Sequence, residues 1–343
     1  MSRVLSYGEA INEAIYQSMK KDDRVVIMGQ GVNDPKAILG TTKGLAGSFP
    51  GRSIDTPISE EGMTGVAIGM AMAGQKVIHT HIRMDFMLLC MNQIINMAAK
   101  MRYMYGGEVA VPIVIKSMIG KSWGQGPQHS QGLYSLFMNI PGLRIVAPIT
   151  PYDAKGAMIA AIADKNPVLF IEHRHLHYQK GFVPEDMYGI LPESRILKEG
   201  KDVTLIGVSQ MAIECLRAAK ILEANGIDAE VIDPIYLNPI HYEGIYKSVE
   251  KTKHLVVVDC DWYNGGGLGA TIISSLHEIG LHFRSFRTGF AFSTCPTAPS
   301  IEKEFYPTAE DIAKEAFFMF DEDLSKFKNI DIVKEEIEFK GPF

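Results

Sequence analysis

Apolar and polar residues alternate along this chain in blocks that predict strands and helices in turn. Short, almost continuous apolar segments end at turns rich in glycine, proline, asparagine and aspartate, and between them apolar residues recur at spacings of three and four. Continuous apolar strands that alternate with helices are typical of a mainly parallel sheet covered on both faces. The pattern therefore predicts an α/β fold.

Two such blocks follow one another. Strands are predicted at 25–28, 77–82, 111–115, 143–147 and 168–171, and again at 203–208, 229–232, 255–258 and 283–287. Helices are predicted at 6–21, 85–104, 211–225, 240–250, 267–279 and 309–320, with another opened by Thr150 as cap and Pro151 at its first position. Residues 174–200 lose this rhythm and read as a linker. A length of 343 residues also fits two domains.

One further helix, between Pro57 and Gly74, has an unusual composition. Met63, Val66, Ala67 and Met70 predict its apolar face, while a second stripe consists of small residues at Gly65, Gly69 and Ala73. Each glycine inside a helix costs about 1 kcal/mol relative to alanine. We therefore expect another helix, of this or of another subunit, to pack closely against the stripe.

Composition narrows the function classes. A net charge of −6, without a basic cluster or interleaved aromatic residues, argues against nucleic-acid binding. The four cysteines are far apart, the N-terminus lacks an apolar signal core, and no segment reaches the length of a membrane span. We expect a protein of the reducing cytoplasm, without a membrane segment.

Two acids, Glu60 and Glu61, stand where a predicted strand turns into the glycine-striped helix. They fit two interpretations. Acids are favoured by the positive end of a helix dipole, which needs no function. However, parallel sheets bind ligands at the carboxyl ends of their strands, and a carboxylate held there can exchange a proton with a bound base. The position after a strand favours the second interpretation for Glu60.

His129 lies in a polar loop, Gly120–Gln131, that follows a predicted strand. An imidazole in such a loop is suited to acid/base chemistry near neutral pH. A surface histidine is the alternative. The histidines at 79, 81, 173, 175 and 177 share faces of extended segments, but no carboxylate or cysteine spacing completes a metal site. Gly265–Gly269 has the wrong spacing for a dinucleotide-binding turn, so a bend that needs positive φ explains it better.

Many motifs together resemble one family, the β subunit of the thiamine-diphosphate-dependent dehydrogenase component of 2-oxo acid dehydrogenase complexes. They extend from residue 3 to 320 and include Asp55–Glu60, Gly65, Gly69, Ala73-Gly74, Phe86, Asn96–Lys100, Gly106-Gly107, Val111–Ile113, Gln128–Gln131, Pro141–Leu143, Asp153–Gly156, Glu230–Asp233, Leu255–Val258 and Pro296–Pro299. The resemblance implies two three-layer α/β/α domains. They are a pyrimidine-binding domain at 1–190 and a transketolase-C-terminal-like domain at 202–330, with a linker at 191–201 and a tail at 331–343.

The resemblance also implies roles for single residues. Glu60 would contact N1′ of the aminopyrimidine of thiamine diphosphate, Phe86 would stack on that ring, and Ile58 and Ile82 would line the cofactor site. His129 would act as acid or base toward the acyl group or the lipoyl acceptor. A structural potassium site in some relatives corresponds to main-chain carbonyls of Ile113, Ala161, Ile162, Asp164 and Asn166.

The diphosphate end of the cofactor requires a partner. Full-length relatives hold it through magnesium with a Gly-Asp-Gly segment, which this sequence lacks. The resemblance therefore implies an α subunit that binds magnesium and the diphosphate in an α2β2 assembly. A lipoyl acyltransferase core is a further expected partner.

Several positions depart from the family pattern. Thr80 stands where many relatives carry a glutamate, Leu89 stands where they often carry a glutamine, and Arg83, Lys121 and Gln125 are candidate substrate contacts. If the two cations face the cleft, they favour an acidic or phosphorylated substrate; otherwise they pair with surface acids. The first hypothesis is thus 2-oxo acid decarboxylation with acyl transfer to lipoyl. The alternatives are a split transketolase or acyloin-forming carboligase subunit with an aldehyde acceptor, and a non-catalytic scaffold.

Overall fold

A computed structural model describes residues 3–120 and 124–330 and divides them into two compact units. The first comprises residues 3–120 and 136–191, and the second comprises 124–135 and 192–330. The segment with His129 therefore belongs to the second unit, although it lies within the first along the chain. None of the helices in these described ranges is long and apolar enough to cross a membrane.

The first unit is built around a parallel sheet. Its elements are β1 (Val4–Ser6), α1 (Tyr7–Lys21), β2 (Val25–Gly29), α2 (Leu45–Ser48), β3 (Ser53–Asp55), α3 (Glu60–Met72), β4 (Lys76–His81), α4 (Ala99–Met104), β5 (Ile113–Ile119), α5 (Ser135–Met138, which begins in the second unit), β6 (Arg144–Val146), α6 (Pro151–Ala163), β7 (Val168–His173) and β8 (Lys180–Phe182). The strands lie in the order β6-β7-β5-β4-β2-β3 and are all parallel. β1 and β8 form a separate antiparallel pair.

The second unit holds a five-stranded sheet in the order β14-β13-β10-β11-β9, in which only β9 is antiparallel. Its elements are β9 (Arg195–Lys198), β10 (Val203–Gly207), α7 (Gln210–Ala224), β11 (Ala229–Asp233), β12 (Tyr236–Asn238), α8 (Tyr242–Thr252), β13 (His254–Trp262), α9 (Gly267–Glu278), β14 (Arg284–Phe290), α10 (Pro299–Glu302) and α11 (Ala309–Phe318). The predicted α/β class is confirmed. The segment predicted as a linker contributes β9 to this sheet.

Local sequence explains where the helices begin. Ser6 caps α1 with a capping box, and Thr308 caps α11 in the same way. Thr150 accepts a hydrogen bond from the backbone of Asp153, and Pro151 is the first residue of α6, as predicted. These signals fix helix starts because side-chain oxygens satisfy backbone N–H groups that have no partner within the helix.

The predicted single helix at 85–104 is wrong in detail. Residues Met84–Cys90 form a 3₁₀ turn, Gln93–Ala98 form a π-helical segment, and only Ala99–Met104 are α-helical at its end. The apolar periodicity on which the prediction depended includes Leu89, whose side chain is 60% exposed. An apolar residue that faces outward cannot report the buried face of a helix. Changes of helical type within one segment are frequent at functional sites.

The predicted buried face of α3 is also wrong by about one residue. The helix buries Thr64, Ala67, Ile68 and Ala71, whereas Val66 is 47% exposed. Thr64 turns inward because its hydroxyl lies within hydrogen-bond distance of Nε2 of His79 and of His81, at 3.1 and 3.4 Å. The buried face of this helix thus combines a polar contact with the sheet and the small apolar residues Ala67 and Ala71.

The small-residue stripe of α3 is left open. Gly69 and Ala73 are exposed and Gly65 is half-buried. Within residues 3–120 and 124–330, and apart from the helix's own backbone, no atom lies within 4 Å of a Cβ placed on Gly65 or Gly69. The described part of this chain thus provides no helix that packs closely against the stripe.

Candidate functional site

The carboxyl ends of neighbouring parallel strands place the predicted site residues of the first unit along one edge of its sheet. Gln30 follows β2, Glu60 follows β3 after a short turn, and Ile82 to Phe86 follow β4. Gly120 follows β5 and Arg174 follows β7. Open parallel sheets bind ligands at such an edge.

Glu60 is the first residue of α3, and its side chain is half-buried. Its Oε1 accepts a hydrogen bond from Nε2 of Gln30 at 3.2 Å. Glu61 is exposed and accepts instead from Nε2 of Gln93 at 3.1 Å. The two adjacent acids therefore have different partners, and only Glu60 is joined to the turn after β2.

Apolar groups accompany Glu60 at this edge. Ile58 is 83% exposed, Ile82 is 39% exposed, and Phe86 is half-buried. Thr80, near the end of β4, is buried, and its hydroxyl has no hydrogen-bond partner among the described residues. A carboxylate on the same sheet edge as accessible aliphatic and aromatic side chains suits one end of a flat, basic heteroaromatic ring, so the residues present fit the aminopyrimidine end of thiamine diphosphate.

His129 is half-buried in the loop 124–135 of the second unit, and its backbone N–H donates to the carbonyl of Gly126 at 3.4 Å. Gly124 and Gly126 have φ of +73° and +71°, and a Cβ at either would collide with Thr297. The loop is therefore packed closely against residue 297 of its own unit, and glycine is required at both positions.

Tyr134 fastens the end of this loop. Its hydroxyl donates to Oδ1 of Asp259 at 2.9 Å and accepts from the backbone N–H of Cys260 at 2.9 Å. Asp259 Oδ2 accepts from the backbone N–H of Gly269 at 3.0 Å. Burial raises the pKa of Asp259 to about 6, although these hydrogen bonds oppose the increase.

The same carboxylate explains the glycine-rich segment at 265–269. Gly267 has φ of +83° and opens α9, which confirms that the bend needs a residue tolerant of positive φ. Oδ2 of Asp259 lies at the start of this helix and accepts from Gly269. The helix N-terminus is thus already occupied by an acid of the chain itself.

The residues that the sequence suggested as substrate contacts, Arg83, Lys121 and Gln125, differ in burial and in the unit to which they belong. Arg83 is only 4% exposed, and its Nη1 donates to the carbonyl of Gly120 at 2.9 Å. The alternative of a surface ion pair does not fit so buried a side chain. Gln125 is half-buried in the loop of the second unit. Lys121 lies outside the described residues.

The clustered histidines have structural partners. His79 and His81 are buried, contact each other with ring centroids 4.4 Å apart, and share Thr64. Burial lowers the pKa of His79 to about 4 and that of His81 well below its ordinary value, so both are neutral near pH 7. Among residues 3–120 and 124–330, no group of three or more His, Cys, Asp or Glu side chains is arranged to hold a metal ion.

The residues expected at a potassium site lie near the end of α6. Val111 donates its backbone N–H to the carbonyl of Lys165 at 3.1 Å, which brings the segment before β5 next to the residues after α6. The expected carbonyls belong to Ile113, Ala161, Ile162, Asp164 and Asn166. Of these carbonyls, that of Ala161 accepts a hydrogen bond from the backbone N–H of Asp164 at 3.2 Å.

Three residues of this edge were not found from the sequence. Gln30 bonds Glu60, Gln93 bonds Glu61, and Arg174 is buried beside the end of β5. Gln30 is a polar residue between Gly29 and Gly31, in the turn directly after a predicted strand, and this position could have indicated it as a site residue. The position of Gln93 depends on the π-helical geometry of its segment, and that of Arg174 depends on the order of the strands. The local sequence predicts neither.

Two family models match the chain. Residues 3–179 match the transketolase pyrimidine-binding domain, and residues 193–312 match the transketolase C-terminal domain.

Characterised relatives cover most of the chain. It is 39% identical to the acetoin:2,6-dichlorophenolindophenol oxidoreductase subunit beta of Cupriavidus necator over 332 residues, which is 92% of this chain and 97% of that protein. It is 40% identical to the pyruvate dehydrogenase E1 component subunit beta of Cyanidium caldarium over 81% of this chain and 85% of that protein. A solved split-gene transketolase, described as an inactive β4 tetramer, superposes with a TM-score of 0.75 over 94% of this chain and 99% of that one. At 20% identity the latter supports the fold alone.

Proposed function

This chain belongs to the transketolase-like family of dehydrogenase β subunits, and we propose that it is the β subunit of a heteromeric thiamine-diphosphate enzyme. The enzyme decarboxylates a 2-oxo acid and transfers the acyl group to a lipoyl carrier. The names of the relatives, pyruvate dehydrogenase and acetoin oxidoreductase β subunits, favour this function over a carboligase or a scaffold.

The position of Glu60 carries the proposal. Its carboxylate stands at the carboxyl edge of the sheet, is held by Gln30, and has the exposed Ile58 close by in sequence. Thiamine diphosphate, when bound, supplies the carbanion that attacks the 2-oxo acid. Glu60 would hold a proton at N1′ of the aminopyrimidine, while Phe86 and Ile82 would orient the ring and exclude water.

His129 would move a proton at the acyl group or at the lipoyl sulfur. Its loop is rich in glycine and held by Tyr134, which supports a fixed position for the imidazole. An acid/base group of this kind contributes about 10²–10⁴-fold to a rate. Gln125 of the same loop, with Arg83 and Lys121, is proposed to select the substrate.

A partner subunit would complete the cofactor site. The subunit beta names of the relatives imply an α partner, which would bind magnesium and the diphosphate in an α2β2 assembly. The open stripe of Gly65, Gly69 and Ala73 on α3 would receive a helix of another subunit, since no described residue of this chain fills it. A lipoyl acyltransferase core is a further proposed partner, and a cytoplasmic location stays a prediction.

Potassium is proposed at the end of α6. It would stabilise the turn through the carbonyls of Ile113, Ala161, Ile162, Asp164 and Asn166. Thermal unfolding in potassium and in a large organic cation tests this site, because only potassium should raise the melting temperature.

The function is tested on the complex of this chain with its α partner. Thiamine diphosphate and magnesium should raise its melting temperature, and a panel of 2-oxo acids should be decarboxylated with a lipoyl domain as acceptor. Glu60→Gln should lower kcat by about 10²-fold or more, since the carboxylate that holds the proton is lost. Glu61→Gln is the matched control and should retain activity. The proposal fails if the wild-type complex neither responds to the cofactor nor turns over any 2-oxo acid.

A further inference from the structure

The turn after β2 places an amide directly against the acid proposed for the cofactor. Gln30 is half-buried, and its Nε2 donates to Oε1 of Glu60 at 3.2 Å. Within residues 3–120 and 124–330, the carboxylate of Glu60 has no other hydrogen-bond or ion-pair partner. The orientation of this carboxylate therefore depends, within the described chain, on a single side chain.

The backbone on either side of Gln30 is fixed by the two neighbouring strands. Gly29 and Gly31 flank it, with φ of +149° and +67°. A Cβ on Gly29 would collide with the backbone of Thr80, so β4 packs directly against the turn. On the other side, the backbone N–H of Gly31 donates to Oδ1 of Asp55, the last residue of β3, at 2.7 Å. Only glycine fits these flanking positions without strain, and the turn is held from both sides.

The segment that carries Glu60 is fixed at the same turn. The backbone N–H of Thr56 donates to the carbonyl of Gly29 at 3.2 Å, and Glu60 then begins α3. Thr64, one turn along this helix, lies within hydrogen-bond distance of β4. The bond from Gln30 thus joins two segments that other contacts already hold. Residues that act on a bound group need support of this kind, because small displacements reduce their effect strongly.

The charged groups around α3 have partners of their own. Glu61, which follows Glu60 on the helix, accepts a hydrogen bond from a different amide. Lys116 of β5 forms an ion pair with Glu172. Neither charge replaces the amide of Gln30 as the partner of Glu60.

The other titratable side chains that face α3 are neutral near pH 7. Burial, together with the charges of Glu60 and Glu61, raises the pKa of the Cys90 thiol to about 11. His79 and His81 of β4 are neutral because burial lowers the pKa of both. No titratable group on these neighbouring elements therefore stands in for the amide.

We propose that Gln30 is a positioning residue, which holds the carboxylate of Glu60 in place for N1′ of the cofactor through a partner that does not titrate. This inference rests on the proposed function and assigns a further residue to it. An amide keeps its N–H donors at every working pH, so the hydrogen bond to Glu60 does not depend on a second ionisation. An acid at position 30 would behave differently, because two neighbouring carboxyl groups titrate as a coupled pair.

The first test removes the donor in the complex with the α partner. Gln30→Met keeps the length of the side chain and should lower kcat about tenfold or more, as expected for the loss of a hydrogen bond to a charged group. KM for the 2-oxo acid should change little, because the bond acts on Glu60 rather than on the substrate. Gln93→Met is the matched control: it removes the amide that bonds Glu61 at 3.1 Å and should retain the wild-type kcat.

The second test changes the pH dependence, which a merely structural role would not alter. Gln30→Glu places a second acid against Glu60, so the carboxyl groups should ionise less readily than one alone. The acid side of the pH profile of kcat/KM should therefore move to higher pH by about one pH unit relative to the wild type. This variant also serves if Gln30→Met does not assemble.

A readout without turnover separates this inference from the function. The affinity of the cofactor-free complex for thiamine diphosphate with magnesium is measured by calorimetry across the same pH range, and its pH dependence should move in the same direction in Gln30→Glu. If no 2-oxo acid reacts but this curve moves, the proposed function fails and the role of Gln30 remains. The inference is overturned if Gln30→Met retains the wild-type kcat, or if Gln30→Glu binds the cofactor with the pH dependence of the wild type.

Discussion

The hydroxyl of Tyr134 donates a 2.9 Å hydrogen bond to Oδ1 of Asp259, so a loop residue is anchored to a buried carboxylate on β13. The same hydroxyl accepts from the backbone of Cys260. His129 lies five residues before Tyr134, in the loop that this contact holds. The rigidity of the proposed acid/base residue thus depends on a tyrosine that is not itself part of the chemistry.

Tyr134→Phe should therefore weaken both stability and turnover. It leaves an oxygen of Asp259 and the N–H of Cys260 without this partner, which costs about 1–3 kcal/mol in the free energy of unfolding. Urea unfolding measures this loss, and kcat of the complex should fall as the loop loosens. Tyr246→Phe is the control: its hydroxyl bonds Glu250 at the surface, so its removal should change neither quantity noticeably. Equal behaviour of the two variants would contradict the anchoring role.

Asp259 should also make stability depend on pH in an unusual direction. Its pKa in the folded protein is raised from 3.8 to about 6, so between these values the folded state binds more protons than the unfolded state. The contribution of this group to the unfolding free energy should therefore fall by about 2 kcal/mol as the pH rises from about 4 to about 6, and level off above about pH 7. Asp259→Asn should remove that part of the slope. If the wild type and Asp259→Asn show parallel curves between pH 4 and 6.5, the carboxyl does not titrate as described.

Removing only one partner of a buried ion pair in the first unit should strongly lower the free energy of unfolding. Lys116 Nζ lies 2.5 Å from Oε1 of Glu172, whose Oε2 lies 2.7 Å from Nε2 of His177. Burial alone would raise the pKa of Glu172, but the charge of Lys116 and the bond from His177 hold it below its ordinary value. Glu172→Gln should lower the unfolding free energy by about 3–5 kcal/mol, because it leaves the lysine buried without a counter-charge.

The double variant Lys116→Met with Glu172→Gln is the control for that change. It should regain part of the loss, since the uncompensated charge is gone. The unfolding free energy of the double variant is compared with the sum of the losses in Lys116→Met and Glu172→Gln alone. If the two losses simply add, the two side chains are not coupled.

Helix capping at Thr150 gives a smaller, local effect. Thr150→Ala removes the acceptor for the backbone N–H of Asp153, which lies 3.0 Å from the hydroxyl, and should cost about 1 kcal/mol. Thermal unfolding measures the difference. Ser59→Ala is a suitable control, because Ser59 precedes α3 without a side-chain capping bond and should cost little. A Thr150→Ala variant as stable as the wild type would show that α6 begins without help from this hydroxyl.

Features that depend on a few consecutive residues, such as buried strands and helix starts, could be predicted from the sequence. Val25 to Met28 form a strand because a strand buried on both faces needs a continuous apolar segment, and the structure extends it by one residue. Thr150 and Pro151 start a helix for reasons contained in a few residues. Glu60 could be proposed as a site residue because it follows a strand and begins a helix.

Contacts between residues that are far apart in sequence depend on the order of the strands and could not be predicted in this way. Arg83 and Arg174 are 91 positions apart, and they come together only because β4, β5 and β7 are adjacent. The buried face of α3 includes Thr64, whose hydroxyl lies within hydrogen-bond distance of two histidines of the next strand. Apolar periodicity contains no information about such a polar contact, so the predicted face was displaced.

The loop 124–135 has a consequence for how such proteins can exchange parts during evolution. Its sequence lies between strands of the first unit, but it is packed by Asp259 and Thr297 of the second. A recombination event near residue 190 would transmit His129 with one parent and the residues that support it with the other. A crossover near residue 190 takes Tyr134 from one parent and Asp259 from the other. Successful chimaeras between relatives should therefore be those in which both parents carry this tyrosine and this aspartate.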